Sequence, residues 1–133
     1  MSSQVNPILT PEEYLAFERR AEIRHEYADG ELFAISGASR YHNKIVVNLS
    51  REISTRFKGR PYSVYTNDMR VRIDGTVRYV YPDLVAVCGP ERFDDNEQDT
   101  LTNPNLIVEV LSIKSNSTVW SRNRLFRALA YPE

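Results

Sequence analysis

The stretch Tyr-Pro-Asp-Leu-Val-Ala-Val-Cys, residues 81–88, and the stretch Asn-Leu-Ile-Val-Glu-Val-Leu-Ser, residues 105–112, decide how this chain folds. Each is short, apolar and bounded by turn-forming residues, so each predicts a buried strand. Each also carries an acid near its centre, Asp83 in the first and Glu109 in the second. Burying an ionised carboxylate without a partner is costly. We therefore predict that the two strands are neighbours and that both carboxylates face one divalent metal site.

The composition of the chain indicates what class of protein carries this predicted site. The chain has 133 residues, of which 41% are hydrophobic and 26% charged, which is typical of a single globular domain. The net charge of −1 provides no overall attraction to nucleic acid, so DNA binding would have to come from local patches. No apolar stretch approaches the roughly 20 residues of a membrane span, and residues 1–7 lack a signal-peptide pattern. The single cysteine, Cys88, excludes a disulfide within the chain, is expected to be buried in its strand, and fits a cytoplasmic location.

Local signals predict the first three elements. Thr10 and Glu13 form a capping box that opens a short helix ending near residue 20. Asp-Gly at residues 29–30, between two short apolar runs, predicts a β-hairpin. A second, longer helix is predicted over residues 39–58, with one apolar stripe that repeats every four residues. The stripe consists of Ile45, Leu49, Ile53 and Phe57.

Strand patterns dominate the rest of the chain. Met69, Val71 and Ile73 alternate with Arg70 and Arg72, which predicts one buried and one solvated face. The arginines are therefore expected to lie in solvent or, alternatively, to contact phosphate groups. Residues 89–103 read as a polar loop rich in acids. The order of elements predicts an α+β or α/β sandwich with a mixed sheet.

Four motifs in this order resemble a known family. They are Glu26 in Glu-Tyr-Ala-Asp-Gly-Glu, His42 after Ser-Gly-Ala-Ser-Arg-Tyr, and the stretches around Asp83 and Glu109. Together they resemble the putative restriction endonuclease family of the PD-(D/E)XK nuclease superfamily. The resemblance implies a restriction endonuclease-like core over residues 9–112, with a mixed β-sheet, flanking helices and an N-terminal hairpin. Residues 1–8 would then be a flexible N-terminus and residues 113–133 a divergent tail.

The resemblance also implies an activity. Asp83 and Glu109 would match acids that bind Mg²⁺ (or Mn²⁺), Glu26 would match an acidic residue near the catalytic site, and DNA would be the substrate. His42 is weighed as a helix cap or surface group rather than a site residue. The implied reaction is metal-dependent hydrolysis of DNA phosphodiester bonds by a cytoplasmic endonuclease.

The chain departs from the family pattern after Ser112. Leu111 stands where a Glu-x-Lys motif would place its lysine, and no lysine matches the helix lysine of the family. The change resembles a premature end or a shift of reading frame, so DNA cleavage is expected to be weak or absent. Two alternatives stay open: a non-catalytic truncated relic that forms a homodimer through an exposed strand edge, or a protein-interaction domain in which Glu109 pairs with an arginine.

Overall fold

The computed structural model of the chain describes residues 8–75 and 77–111, and these form two helices and eight strands. The elements are α1 (Pro11–Glu18), β1 (His25–Ala28), β2 (Glu31–Ala34), α2 (Arg40–Phe57), β3 (Tyr62–Thr66), β4 (Arg70–Ile73), β5 (Arg78–Val80), β6 (Leu84–Cys88), β7 (Thr100–Leu101) and β8 (Leu106–Val108). The predicted flexible N-terminus (all but Ile8) and divergent tail lie outside the described residues. In the part that is described, no helix is both long and apolar enough to cross a membrane.

The strands form two sheets. Five strands pair in the order β2-β1-β5-β4-β7, and this sheet is mixed because β4 and β7 run parallel while its other pairs are antiparallel. Three strands pair in the order β3-β6-β8, all antiparallel. The α+β class with a mixed sheet is thus confirmed, although the strands divide into two sheets where one was predicted.

Turn and cap signals in the first forty residues act as predicted. The Thr10 hydroxyl accepts a hydrogen bond from the Glu13 N–H, and the Glu13 carboxylate accepts one from the Thr10 N–H. Asp29 and Gly30 both have positive φ, 52° and 83°, as a tight hairpin turn between β1 and β2 requires. A Cβ at residue 30 would also clash with Cγ2 of Ile8, which adds to the preference for glycine at this left-handed position.

The apolar core lies mainly between the strands. One cluster joins both sheets and consists of Val71, Ile73, Val80, Val85, Val87, Leu101 and Ile107. A second cluster stacks Tyr14 and Leu15 of α1 on Tyr27 and Tyr79. The stripe on α2 is less buried than predicted: Ile45 is 45% exposed, whereas its neighbour Val46 is buried.

Two predictions about side-chain burial are wrong: Arg70 was expected in solvent, and Cys88 was expected to be buried. Arg70 is buried because its side chain donates to Thr100 Oγ1 (2.8 Å) and to the Tyr81 hydroxyl (3.0 Å), and its Nη2 lies 2.9 Å from Asp99 Oδ1. This placement excludes the predicted solvated position of Arg70 and its alternative contact with phosphate. Cys88 is exposed because it is the last residue of β6, where the core side of the strand ends.

Arginine side chains bind the acidic loop between β6 and β8 to the rest of the domain. Arg19 donates to both carboxylate oxygens of Asp99 (2.9 Å each) and to Asp95 (2.9 Å), while Arg72 donates to Asp94 (2.6 Å). The hydrogen bonds from Arg19, reinforced by Arg70, hold the pKa of the Asp99 carboxyl well below its usual range. These three aspartates therefore hold the loop against the rest of the domain.

Candidate metal centre

The strand register brings Asp83 and Glu109 together. β6 and β8 pair antiparallel with Leu84 opposite Val108. Asp83 immediately precedes β6 and Glu109 immediately follows β8. The prediction that the two acid-bearing segments form neighbouring strands is confirmed. The placement of the acids at strand centres is wrong, because the ladder ends at Leu84 and Val108 and both acids lie just beyond that end.

Three side chains converge at this end of the ladder. His42, Asp83 and Glu109 each offer one ligand atom, and these atoms all lie within 4.8 Å of one another. Opposite ligands of an octahedral Mg²⁺ ion lie about 4.2 Å apart, so a small closure would bring all three groups to one ion. The two carboxylates thus converge as predicted, with His42 beside them. Two carboxylates and one imidazole form a donor set that suits a divalent cation.

Asp83 is the most buried member of the cluster, with a side chain 9% exposed. Its Oδ2 accepts hydrogen bonds from the Val110 N–H (2.7 Å) and from Nε2 of His42 (3.1 Å). Its backbone carbonyl accepts one from the Asn67 N–H (3.3 Å). Asp83 is therefore held by three separate segments of the chain, two through its carboxylate and one through its backbone.

His42 reaches this site from the first turn of α2. The Ser39 hydroxyl caps the helix by accepting the His42 N–H (3.1 Å), which fixes where the helix begins and so where the His42 backbone lies. In the sequence, His42 reads as a cap or surface group because it is a lone histidine at the start of the predicted helix, 41 residues from Asp83. Its place in the order of the four motifs was the one signal that pointed to the site.

Glu26 contacts the segment that leads to Asp83 but lies outside the cluster of three. Its side chain on β1 is buried, and Oε2 accepts the Tyr81 N–H at 3.1 Å, two residues before Asp83. The carboxylate therefore fixes the segment that delivers Asp83. Arg72 and Arg78, by contrast, pair with Asp94 and Asp29.

Comparison with known proteins shows the family to which this chain belongs. The family model described as "Uma2: Putative restriction endonuclease" matches residues 11–133. The chain belongs to the Uma2 family. The match to Uma2 continues past Ser112, the residue at which the sequence departs from the expected motifs.

Two curated relatives and one solved structure are similar to this Uma2 chain. The uncharacterized proteins sll1609 and slr1290 of Synechocystis sp. are 39% and 35% identical over 90% and 94% of the chain. The chain spans 66% and 64% of their respective lengths, just under two thirds. The crystal structure of a putative nuclease belonging to DUF820 from Anabaena variabilis is 20% identical, with a TM-score of 0.66 over 88% of this chain and 66% of that one. This last similarity supports the fold.

Proposed function

We propose that this protein is a metal-dependent endonuclease that hydrolyses DNA phosphodiester bonds. The convergence of Asp83 and Glu109 with His42 within 4.8 Å is the observation that carries this proposal. Family membership supports it, because the Uma2 model is described as a putative restriction endonuclease. A cytoplasmic location and the domain limits 9–112 are part of the same proposal.

Mg²⁺ or Mn²⁺ is the cofactor that these residues fit. Asp83 and Glu109 would hold it through carboxylate oxygens, the ligands that such hard cations prefer. When bound, the ion would lower the pKa of a water molecule and neutralise charge on the phosphate.

The residues around the acids prepare the site for this role. The Val110 N–H and His42 orient the Asp83 carboxylate, and the capped start of α2 keeps the imidazole in place. We include Glu26 as the third acid of the proposed site, since its bond to the Tyr81 N–H fixes the approach of the chain to Asp83. Such support matters because catalytic groups must be held within about 0.5 Å of their working geometry.

A second candidate function is a metal-binding domain that does not cleave DNA and acts by pairing with a second copy. Leu111, 53% exposed, favours it, because this residue occupies the lysine position of a Glu-x-Lys motif. A lysine at this position would stabilise charge in the transition state. Removing one such stabilising donor typically costs about 100- to 1,000-fold in rate.

Nicking of supercoiled plasmid DNA tests the proposed activity. The chain is incubated with Mg²⁺, Mn²⁺ or EDTA, and Asp83→Asn and Glu109→Gln are compared with Asp74→Asn, an exposed acid in the β4–β5 turn. Because no lysine stands beside Glu109, we expect weak metal-dependent nicking that is lost in the two site variants and unchanged in the control. Metal binding without any nicking would favour the non-catalytic function, and equal nicking by all three variants would exclude this site.

A further inference from the structure

We propose that His42 is a positioning residue that holds Asp83 through its Nε2–H and is not itself a metal ligand. This inference rests on the proposed function, since it concerns how the acids of that site are prepared for a cation. The cluster geometry alone allows two roles for the imidazole, as a third ligand or as a donor to Asp83. Three features of the structure favour the donor.

Both hydrogen bonds to the Asp83 carboxylate are made to the same oxygen atom. Oδ2 accepts from both the Val110 N–H (2.7 Å) and His42 Nε2 (3.1 Å). Within residues 8–75 and 77–111, Oδ1 receives no hydrogen bond. Two donors on one oxygen fix the plane of the carboxylate. Oδ1 therefore points in a defined direction, and its lone pairs are available to bind a cation. This is how an outer hydrogen bond orients a metal-binding carboxylate.

The second ring nitrogen indicates which tautomer is present. His42 Nδ1 is buried and has no hydrogen-bond partner among the residues that the structure describes. A buried N–H without an acceptor is rarer and more costly than an unfilled lone pair. The proton of the neutral imidazole therefore belongs on Nε2, where Asp83 accepts it.

The same nitrogen argues against direct coordination. A histidine that binds a metal through Nε2 carries its proton on Nδ1, and almost always donates it to a carboxylate, a carbonyl or water. The described part of the chain offers Nδ1 no such acceptor. The Ser39 cap is consistent with the donor role, because it anchors the His42 backbone in the first turn of α2, within reach of Asp83.

Substitutions that keep or remove the donor test the inference through Mn²⁺ affinity, measured by calorimetry. In His42→Gln the side-chain amide places an N–H donor near the position of Nε2, whereas the shorter side chain of His42→Asn does not reach it. We expect His42→Ala and His42→Asn to weaken Mn²⁺ binding by about 10- to 100-fold, the usual cost of losing an outer partner. His42→Gln should retain most of the affinity.

The other histidine of the chain supplies a matched control. His25 Nδ1 lies 3.0 Å from Glu18 Oε1, so His25→Gln changes a histidine–carboxylate pair away from the cluster. It should leave Mn²⁺ affinity unchanged even if it lowers the melting temperature. A loss of affinity in His25→Gln equal to that in His42→Ala would show that general destabilisation explains the result, and would overturn the inference.

Two spectroscopic measurements separate the donor from the ligand. Long-range ¹H–¹⁵N NMR of the metal-free protein at mildly alkaline pH should show the His42 proton on Nε2, and a proton on Nδ1 would overturn the inference. Pulsed EPR of the Mn²⁺ complex should show no directly coordinated nitrogen, and a nitrogen coupling lost in His42→Ala would establish a ligand instead. Absence of Mn²⁺ binding in the wild type would reject the proposed function, whereas wild-type binding that His42→Ala leaves intact would reject this inference alone.

Discussion

Asp99 and Asp83 are two acids of the same domain with opposite surroundings. The Asp99 side chain is 37% exposed, yet Arg19 and Arg70 both lie 2.9 Å from it. The Asp83 side chain is 9% exposed, and among residues 8–75 and 77–111 it pairs with neither an arginine nor a lysine; its partners are an imidazole and a peptide N–H. The less buried acid thus has the fixed cations, and the more buried acid does not.

The difference indicates what each acid does. A carboxylate with permanent arginine partners has its charge balanced in the fold and contributes to packing of the acidic loop. A buried carboxylate without such a partner is costly, and an exchangeable divalent cation would offset that cost. The two regions should therefore respond differently to the removal of a cation, to metal and to pH.

Removal of the buried arginine should have the largest effect on stability. Arg70→Met leaves Tyr81, Thr100 and Asp99 without a shared partner. Breaking one side of a buried ionic group typically costs about 3–5 kcal/mol, so we expect a loss of about 3–4 kcal/mol in the free energy of unfolding, measured by urea denaturation. Arg51→Met, on the exposed face of α2, should change it by less than about 0.5 kcal/mol. A cost below about 1 kcal/mol for Arg70→Met would mean that the network is not structural.

Metal should distinguish the two acids directly. Mn²⁺ at about 100 times its dissociation constant should add about 2.7 kcal/mol to the stability of the wild type, because only the folded state binds it. Asp83→Asn and Glu109→Gln should lose this gain, which a thermal-shift titration measures. Asp99→Asn should keep the whole gain although it is less stable without metal. An equal metal shift in Asp83→Asn would place the ion elsewhere.

Alkaline pH should weaken the region around Arg70. Burial, together with the hydrogen bond to Glu18, raises the pKa of Tyr81 to about 12, against about 10 in an unfolded chain. Stability from Tyr81 is therefore complete below about pH 10 and is lost as pH rises toward 12, by about 1 kcal/mol at pH 11. Unfolding free energies from pH 9 to 11 should fall less steeply in Tyr81→Phe than in the wild type. The same slope in both proteins would contradict this account.

Acid should have the smallest effect, since the pairs of the loop are partly exposed and screened by solvent. Arg19 lowers the pKa values of Asp95 and Asp99 in the folded state. Their contribution is present above the unfolded value of about 4 and is lost as pH falls through the lower folded values. Asp99→Asn should reduce the dependence of stability on pH between about 2 and 4, measured by urea denaturation. An unchanged dependence would mean that the pairing with Arg19 does not persist in solution.

Much of the fold follows from signals that act over a few residues. The capping box of Thr10 and Glu13, the left-handed turn at Asp29 and Gly30 and the start of α2 were predictable because each depends on local backbone geometry. The pairing of β6 with β8 was predictable for a related reason, since two apolar runs joined by one polar loop form neighbouring strands.

The sequence by itself determined the α+β class, the capped helices and the pairing of the two apolar segments that carry the acids, because propensity, period and polarity are properties of short segments. Only the tertiary structure decided the partners. It placed Asp83 and Glu109 beyond the strand ends, buried Arg70 against Asp99 and brought His42 to Asp83 across 41 residues. Such contacts depend on how the sheets and α2 are arranged, and an alternating pattern of residues cannot specify which polar group meets which.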